Sequence, residues 1–588
     1  MDNLIVDRRD LAFLLHELLQ VESLTSAPRY ADHSRATFDA AIDSALRIAM
    51  QAFAPHNRAT DVDEPRFDGE RVSVAAPIGP ALRAFADAGF TAATFDYEDG
   101  GMQLPRSVAN ACWSVFKGAA IAIDTYSTLS IGVANMLQAF GSESQKQRYL
   151  KPLLAGRFFG TMVLTEPQAG SSLADIRAQA MPRPDGLYAI KGHKVFITAG
   201  DHELGENIVH LVLARLPDAP AGVKGLSLFI CPKFRLDGGQ RNDVALAGLI
   251  HKLGSRGTTS AMLNFGERGD CVGELLGAPN QGLRCMFRMM NEARINVGLS
   301  ASMLAYTGYL HALAYARERV QGRPDLRSLA VPIVRHADVR RMLLAQKCIA
   351  QGGLALCLFG AWLSDRHEVA ASDSQRADAQ ALLDLLTPVI KAWCSFHGTA
   401  ANSLAIQVHG GYGYTREYPV EQFFRDNRLN SIHEGTDGIQ ALDLLGRKVG
   451  DGLGMSALGR EIAHTVAAGR ALDDATLAAH AHALDQAWRE LEQTTRVLLQ
   501  AQAGDARVAL AHASVYLDAF GHTAIAWMWL RQAVLAQPQA RGAEAGFYRG
   551  KLAAAHFFFT HELPKTGPQH QLLRSLDPAL VALDDAWL

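Results

Sequence analysis

The feature that most limits what this chain can fold into is a change of hydrophobic period near Thr161 that reverses near Gly273. Before it the pattern is helical. Leu11, Leu14, Leu15, Leu18 and Leu19 share one face, and Phe38, Ile42, Leu46 and Ala49 share another after a cap at Ser34. Between the two switches lie short β-type segments, Leu187–Thr198, Ile208–Ala214, Gly225–Ile230 and Ala261–Phe265, separated by Asp-Gly, Gly-Asp and Pro-Asp turn signals. Beyond them helical periodicity returns over Arg294–Arg319, Asp338–Asp365 and Ala379–Val408. It resumes after a linker-like GDGLGM segment at Gly450–Met455 and runs to about Phe559. The polar, Pro- and Gly-containing stretch from Pro55 to Pro80 predicts a long loop. At 588 residues the chain is too long for one core. The expected architecture is mainly α with an inserted β-domain: residues 1–158 helical, 159–276 β, 277–449 a helical bundle and 450–588 an additional helical domain.

Composition excludes some functions. Lys and Arg total 57 against 60 Asp and Glu, a formal charge of −3, which speaks against a large nucleic-acid footprint. The last 138 residues carry 14 acidic and 11 basic side chains, so they are not a basic arm. The seven cysteines, Cys112, Cys231, Cys271, Cys285, Cys348, Cys357 and Cys394, form no CxxC pair and no zinc-spaced cluster, so no metal site is expected. Odd in number and scattered, they suggest a reducing compartment. The N-terminal segment mixes Asp and Arg into its apolar residues and reads as an amphipathic helix rather than a signal peptide. The most apolar stretch, Gly352–Leu363, is shorter than the ~20 residues a bilayer-spanning helix needs. A cytoplasmic location is expected. No dinucleotide GxGxxG after a strand, P-loop, GxSxG elbow or HExxH motif is present.

Four patches resist a packing explanation. Leu164-Thr165-Glu166-Pro167-Gln168-Ala169-Gly170-Ser171-Ser172 is small and polar; it is either an ordinary turn or a lining for a ring system or phosphate. Val195-Phe196-Ile197-Thr198-Ala199-Gly200 is a strand end carrying an aromatic and a hydroxyl. Gln407-Val408-His409-Gly410-Gly411-Tyr412-Gly413-Tyr414 puts three glycines in four positions, of which a helix C-cap explains only one well. In Ile432-His433-Glu434-Gly435-Thr436-Asp437-Gly438-Ile439-Gln440, Thr436 can N-cap a helix with Ile439, Leu442 and Leu445 on one side. Glu434 then precedes that helix, either as a surface carboxylate favoured by the dipole or as a base reaching into a cleft.

Together and in this order, the four patches resemble the acyl-CoA dehydrogenase family over residues 30–448. The extension beyond residue 450 and the Glu318-Arg319-Val320-Gln321-Gly322 stretch are similar to its larger-subunit branch, which includes 3-methylmercaptopropionyl-CoA dehydrogenases. The resemblance implies a helical N-terminal domain, a middle β-barrel-like domain, a four-helix C-terminal domain, and FAD bound with help from a partner subunit of a homodimer. It implies that Leu164, Thr165, Gly170, Ser171, Phe196, Thr198 and Thr436 contact FAD, with Phe196 in place of a common Trp. Arg319, Gln407, Gly410 and Gly411 would hold FAD across the dimer, and Ser171, Arg294, His433 and Gly435 would meet substrate. The family's alternative base position is Ala293 here, which leaves Glu434 as the α-proton base. His433 stands where Tyr is common; it either tunes the base or substitutes for shape. The implied reaction converts an acyl-CoA thioester to its trans-2-enoyl product, with electrons passed to an electron-transfer flavoprotein. Two competing readings are an acyl-CoA oxidase using O2, which steady H2O2 production would reveal, and a nucleic-acid-binding flavoprotein on the same fold.

Overall fold

The computed structural model describes residues 3–325 and 327–588, and residues 287–290 by backbone alone. The chain forms two compact units, one of Ala36–Leu104 with Val115–Ala293, the other of Met1–Arg35, Pro105–Ser114 and Arg294–Leu588.

The first unit is built on an eight-stranded sheet. Strand Asn207–Arg215 lies inside it, parallel to Phe158–Val163 and antiparallel to Leu226–Pro232, with Leu211 opposite Ile230. It is buried along its whole length except at Arg215. A strand covered on both faces reads as a continuous apolar run, which is why Ile208–Ala214 stands out in the sequence. Tyr188–Thr198 pairs antiparallel with Gln179–Pro182 and with Ser260–Phe265, and Ser260–Phe265 pairs in turn with Val244–Leu249. Val272–Leu276 closes against Leu226–Pro232. The four segments read as β-type in the sequence are all strands. Phe158–Val163, Gln179–Pro182, Val244–Leu249 and Val272–Leu276 are additional, and their Gly, Pro and Ala content hid them.

The long loop expected over residues 55–80 is not one. It holds a helix, Asn57–Val62, a two-stranded ribbon pairing Arg66–Phe67 with Val72–Ser73, and the start of helix Ile78–Asp87. Its polar residues belong to helix faces and ribbon edges, a pattern that composition does not separate from loop.

The second unit is helical: residues 294–318 of helix Gly282–Glu318, then Ala337–Glu368, Asp373–His409, Leu453–Ala471, Ala475–Gly504, Ala513–Ala536 and Ala545–Phe557. The last of the expected linker residues are already helical, because Gly452, at φ +71°, begins the next helix at Leu453. Helix Ala337–Glu368 has an 18-residue window long and apolar enough to cross a membrane, but 89% of that window is packed inside the unit. Its apolar character is used as core. The segment beyond residue 450 is joined to the bundle by buried polar contacts. The Lys551 ammonium pairs with Asp10 and donates to Gln532 Oε1 (2.9 Å) and Gln351 Oε1 (3.2 Å), while Tyr306 donates to Asp10 at 2.8 Å. His397 and Gln569 meet Asp518 at 2.7 and 2.6 Å, and the Trp529 indole donates to the Cys348 carbonyl at 3.1 Å.

Candidate active site

In the helical unit, helix Val420–Arg428 ends in a tight turn at Leu429–Ser431, and a five-residue loop leads to the short helix Asp437–Asp443. Thr436 caps that helix, its Oγ1 accepting from the Ile439 N–H at 3.3 Å, as its residue type predicts. Just before the cap, Glu434 and Gly435 are both left-handed, with φ +54° and +87°. This backbone is free for glycine and costly for glutamate, on the order of 1–3 kcal/mol, and such strain concentrates at functional sites.

The surroundings of Glu434 are cationic and crowded. Desolvation by nearby protein pushes its carboxyl above the ordinary glutamate value, opposed by the positive charges of Arg294 and Lys391. Glu434 is nevertheless solvent-exposed. Lys391 is buried and pairs with Asp437 Oδ1 at 3.2 Å. Burial lowers its own ammonium pKa, with Asp437 and Glu434 opposing. His433 is lowered to about 4 by burial and by Lys391, so it is neutral near pH 7, and its Nε2 lies 3.2 Å from Asn430 Oδ1. Arg294 is 5% exposed, and its Nη1 meets Asp443 Oδ2 at 2.6 Å while its Nε is buried with no partner among the described residues.

Of the expected apolar face, Leu445 is buried and Ile439 half-buried, but Leu442 is not. Leu442 is 43% exposed, whereas Gln440, Ala441 and Leu444 are fully buried. Gln440 goes inside because its amide has acceptors there, the Glu434 and Gly435 carbonyl oxygens at 3.0 and 3.4 Å. The helix also changes hydrogen-bond pitch at Leu444–Lys448, which rotates the following residues. No apolar period marks Gln440, and the sequence reading assigned it no role.

In the β-sheet unit, residues 164–172 run beside strand Tyr188–Thr198. The Val195 N–H donates to the Thr165 carbonyl at 3.0 Å, and the Thr161 hydroxyl donates to the Thr198 carbonyl at 2.7 Å. Lys194 fastens the loop to the sheet by donating to Leu164 O (2.9 Å), Glu166 Oε1 (2.8 Å) and Leu213 O (2.9 Å). The register slips between Lys194 and Ile197, and at this bulge Phe196 takes φ +57° and stands 64% exposed. Gly170 and Ser171 are exposed beyond it, and Leu164, Thr165 and Thr198 are half-buried.

A groove of about 500 Å3 in the helical unit gathers Arg319, Gln407, Gly410 and Gly411 with Tyr315, His409 and Tyr412. Helix Asp373–His409 ends at Gly410, whose φ of +61° turns the chain away, and a Cβ at Gly410 or Gly411 would meet nothing within 4 Å. Gly413 is there for another reason, since a Cβ would sit 2.4 Å from the Ile406 carbonyl oxygen. Tyr315 stacks on His409 with centroids 4.3 Å apart, and the Arg319 guanidinium lies 6.0 Å from the Tyr412 ring centre.

These arrangements sit within a wider likeness. Residues 37–157 match the acyl-CoA dehydrogenase N-terminal domain, 280–449 the acyl-CoA dehydrogenase C-terminal domain, and 458–584 an acetyl-CoA dehydrogenase C-terminal-like domain. The 3-methylmercaptopropionyl-CoA dehydrogenase of Ruegeria pomeroyi is 38% identical over 97% of this chain and 98% of its own. The broad-specificity linear acyl-CoA dehydrogenase of Mycobacterium tuberculosis is 35% identical over 98% of each. The fold is shared with a Bacillus anthracis acyl-CoA dehydrogenase crystallised with FAD: TM-score 0.74, 19% identity, 95% of this chain and 90% of that one. The chain therefore belongs to the acyl-CoA dehydrogenase family of oxidoreductases.

Proposed function

We propose that the protein is an FAD-dependent dehydrogenase that oxidises an acyl-CoA thioester to its trans-2-enoyl-CoA, with Glu434 as the base. The observation that carries this is the left-handed Glu434 on a capped, glycine-hinged loop, under the charge of two buried cations, Arg294 and Lys391. A carboxylate whose pKa is raised by desolvation is a stronger base, which suits abstraction of a proton made acidic by a neighbouring thioester. As the α-proton leaves for the carboxylate, charge builds on the thioester oxygen and requires fixed donors; the Glu434 N–H supplies one. The neutral His433, engaged with Asn430, adds no charge to the step.

The residues present fit FAD. The Gly410–Gly411 groove offers bare backbone, the Arg319 cation and aromatic faces, a set suited to the adenosine-diphosphate end of a dinucleotide. Phe196, Thr198, Leu164 and Thr165 offer an aromatic face and polar backbone to a ring system, and Gly170 and Ser171 suit a phosphate. FAD held there would supply the acceptor for a hydride leaving the β-carbon. An electron-transfer flavoprotein as the onward acceptor, a homodimer and a cytoplasmic location complete the proposal.

Anaerobic titration of purified protein with acyl-CoA thioesters, following loss of flavin colour, tests it. E434Q should keep its flavin, bind acyl-CoA and fail to bleach. Normal bleaching by E434Q would remove the base assignment.

A further inference from the structure

We infer that Gln440 is a positioning residue for the proton-abstracting step, clamping the peptide between Glu434 and Gly435 so that the carboxylate and the Glu434 N–H keep one direction. The inference rests on Glu434 being the base. Gln440 is fully buried, and its Nε2 lies 3.0 Å from Glu434 O and 3.4 Å from Gly435 O. Two carbonyl oxygens face the same end of the amide, so only the NH2 group can occupy that end. The cost of this choice is visible at the other end, where Gln440 Oε1 is buried with no partner among the described residues. A buried, half-satisfied amide is destabilising by itself, so its retention calls for an explanation.

The explanation lies in the backbone it holds. Glu434 at φ +54° would relax toward negative φ if nothing opposed it. That relaxation rotates the peptide plane, and with it the side chain and N–H of the base. Gly435 and Gln440 are matched to each other, because a Cβ at residue 435 would lie 2.7 Å from Gln440 Nε2. Gly435 thus provides both the left-handed turn and the room for the clamp.

The helix that carries Gln440 has anchors of its own. Asp437 pairs with Lys391 at 3.2 Å and Asp443 with Arg294 at 2.6 Å. Removing the amide therefore frees the loop and leaves the helix in place. Misplacing a catalytic group by about an ångström costs on the order of 100-fold in rate.

The test compares wild type with Q440M, G435A and the double variant in the flavin-loaded protein. Q440M is expected to bleach its flavin about 10- to 100-fold more slowly at saturating acyl-CoA. The half-saturating concentration should stay within about threefold of wild type, and flavin content and Tm should be unchanged. G435A puts a Cβ 2.7 Å from Gln440 Nε2 on a left-handed backbone, so it should slow bleaching and also lower Tm, and in the double variant the two rate losses should combine to less than their product, because both act on one contact. Wild-type bleaching by Q440M, or a loss fully accounted for by lost flavin or folding, would overturn the clamp. If Q440M does not fold, Q440N, which keeps the polarity and loses the reach, takes the same measurements with the same two outcomes. E434Q separates the two ideas. If E434Q is dead and Q440M is normal, only the clamp fails; if E434Q bleaches normally, the base assignment fails first.

Discussion

Lys194 and Glu166 form a 2.8 Å ion pair in which the lysine side chain has no exposed area and the glutamate only 4%. Glu166 also accepts from the backbone N–H groups of Arg177 and Ala178, at 2.8 and 3.0 Å. Every charge in the pair is thus met by hydrogen bonds as well as by its partner, the condition under which a buried pair is tolerated. The pair ties the loop at 164–172 to the strand whose bulge exposes Phe196. Both parts of the proposed flavin contact hang on it.

Lys194→Met leaves Glu166 ionised, buried and without its cation. The expected loss is about 3–5 kcal/mol, read as a lower urea midpoint, together with a lower flavin-to-protein ratio. The double variant with Glu166→Met should recover part of the stability, since it removes the orphaned charge. A Lys194→Met protein as stable as wild type would mean the pair is not what fixes the loop.

Lys391 is, after Arg294, the second cation that opposes the desolvation of Glu434, the proposed base. With the ionised carboxylate as the proposed base, the rate should rise with pH through its pKa. Lys391 favours the carboxylate and holds that pKa down against desolvation. Lys391→Met removes the restraint and leaves Asp437 as an added negative neighbour. Both changes raise the Glu434 pKa, so the acidic limb of kcat/KM should move to higher pH. A limb that stays in place or moves down would contradict the assignment.

Arg319 is exposed and lies at the edge of the groove, so its replacement should spare the fold. Arg319→Ala is expected to change Tm of the flavin-free protein little, within about 0.5 kcal/mol in stability, and to weaken FAD retention on gel filtration. The difference from wild type should shrink in high salt, because a guanidinium–phosphate attraction is screened. Equal FAD retention at low salt would remove Arg319 from the cofactor site.

What the sequence made legible was local. The cap at Thr436 and the glycine-hinged Glu434 follow from residue types within three positions of each other, and the apolar strands bounded by turn signals follow from local composition. The contacts that hold those parts came from elsewhere in the chain. Along Tyr188–Thr198, Ile190, Lys194 and Ile197 face inward, and the last interval breaks the period of two because the bulge inserts a residue. A strict alternation cannot foresee a buried lysine next to an exposed phenylalanine. Gln440 was hidden for a similar reason. Its partner is a backbone carbonyl, which has no signature in side-chain chemistry, and the apolar residues around it suggested that another face was inside.

The last prediction concerns the segment beyond residue 450. Composition marks it as a separate helical domain, yet its Lys551 reaches Asp10, Gln351 and Gln532, residues drawn from the N-terminal segment, the bundle and the segment itself. All four are buried. Replacing Lys551 with Met strands the Asp10 carboxylate, which keeps only the Tyr306 hydroxyl as a described side-chain partner. The expected cost is again about 3–5 kcal/mol. The form of the loss is as informative as its size. If the seam binds the three segments into one cooperative body, urea unfolding of Lys551→Met should remain a single transition for the helical unit, displaced to lower midpoint. A separate early transition, followed by fluorescence of Trp527 and Trp529 in the extension, would show instead that residues 450–588 fold and unfold on their own.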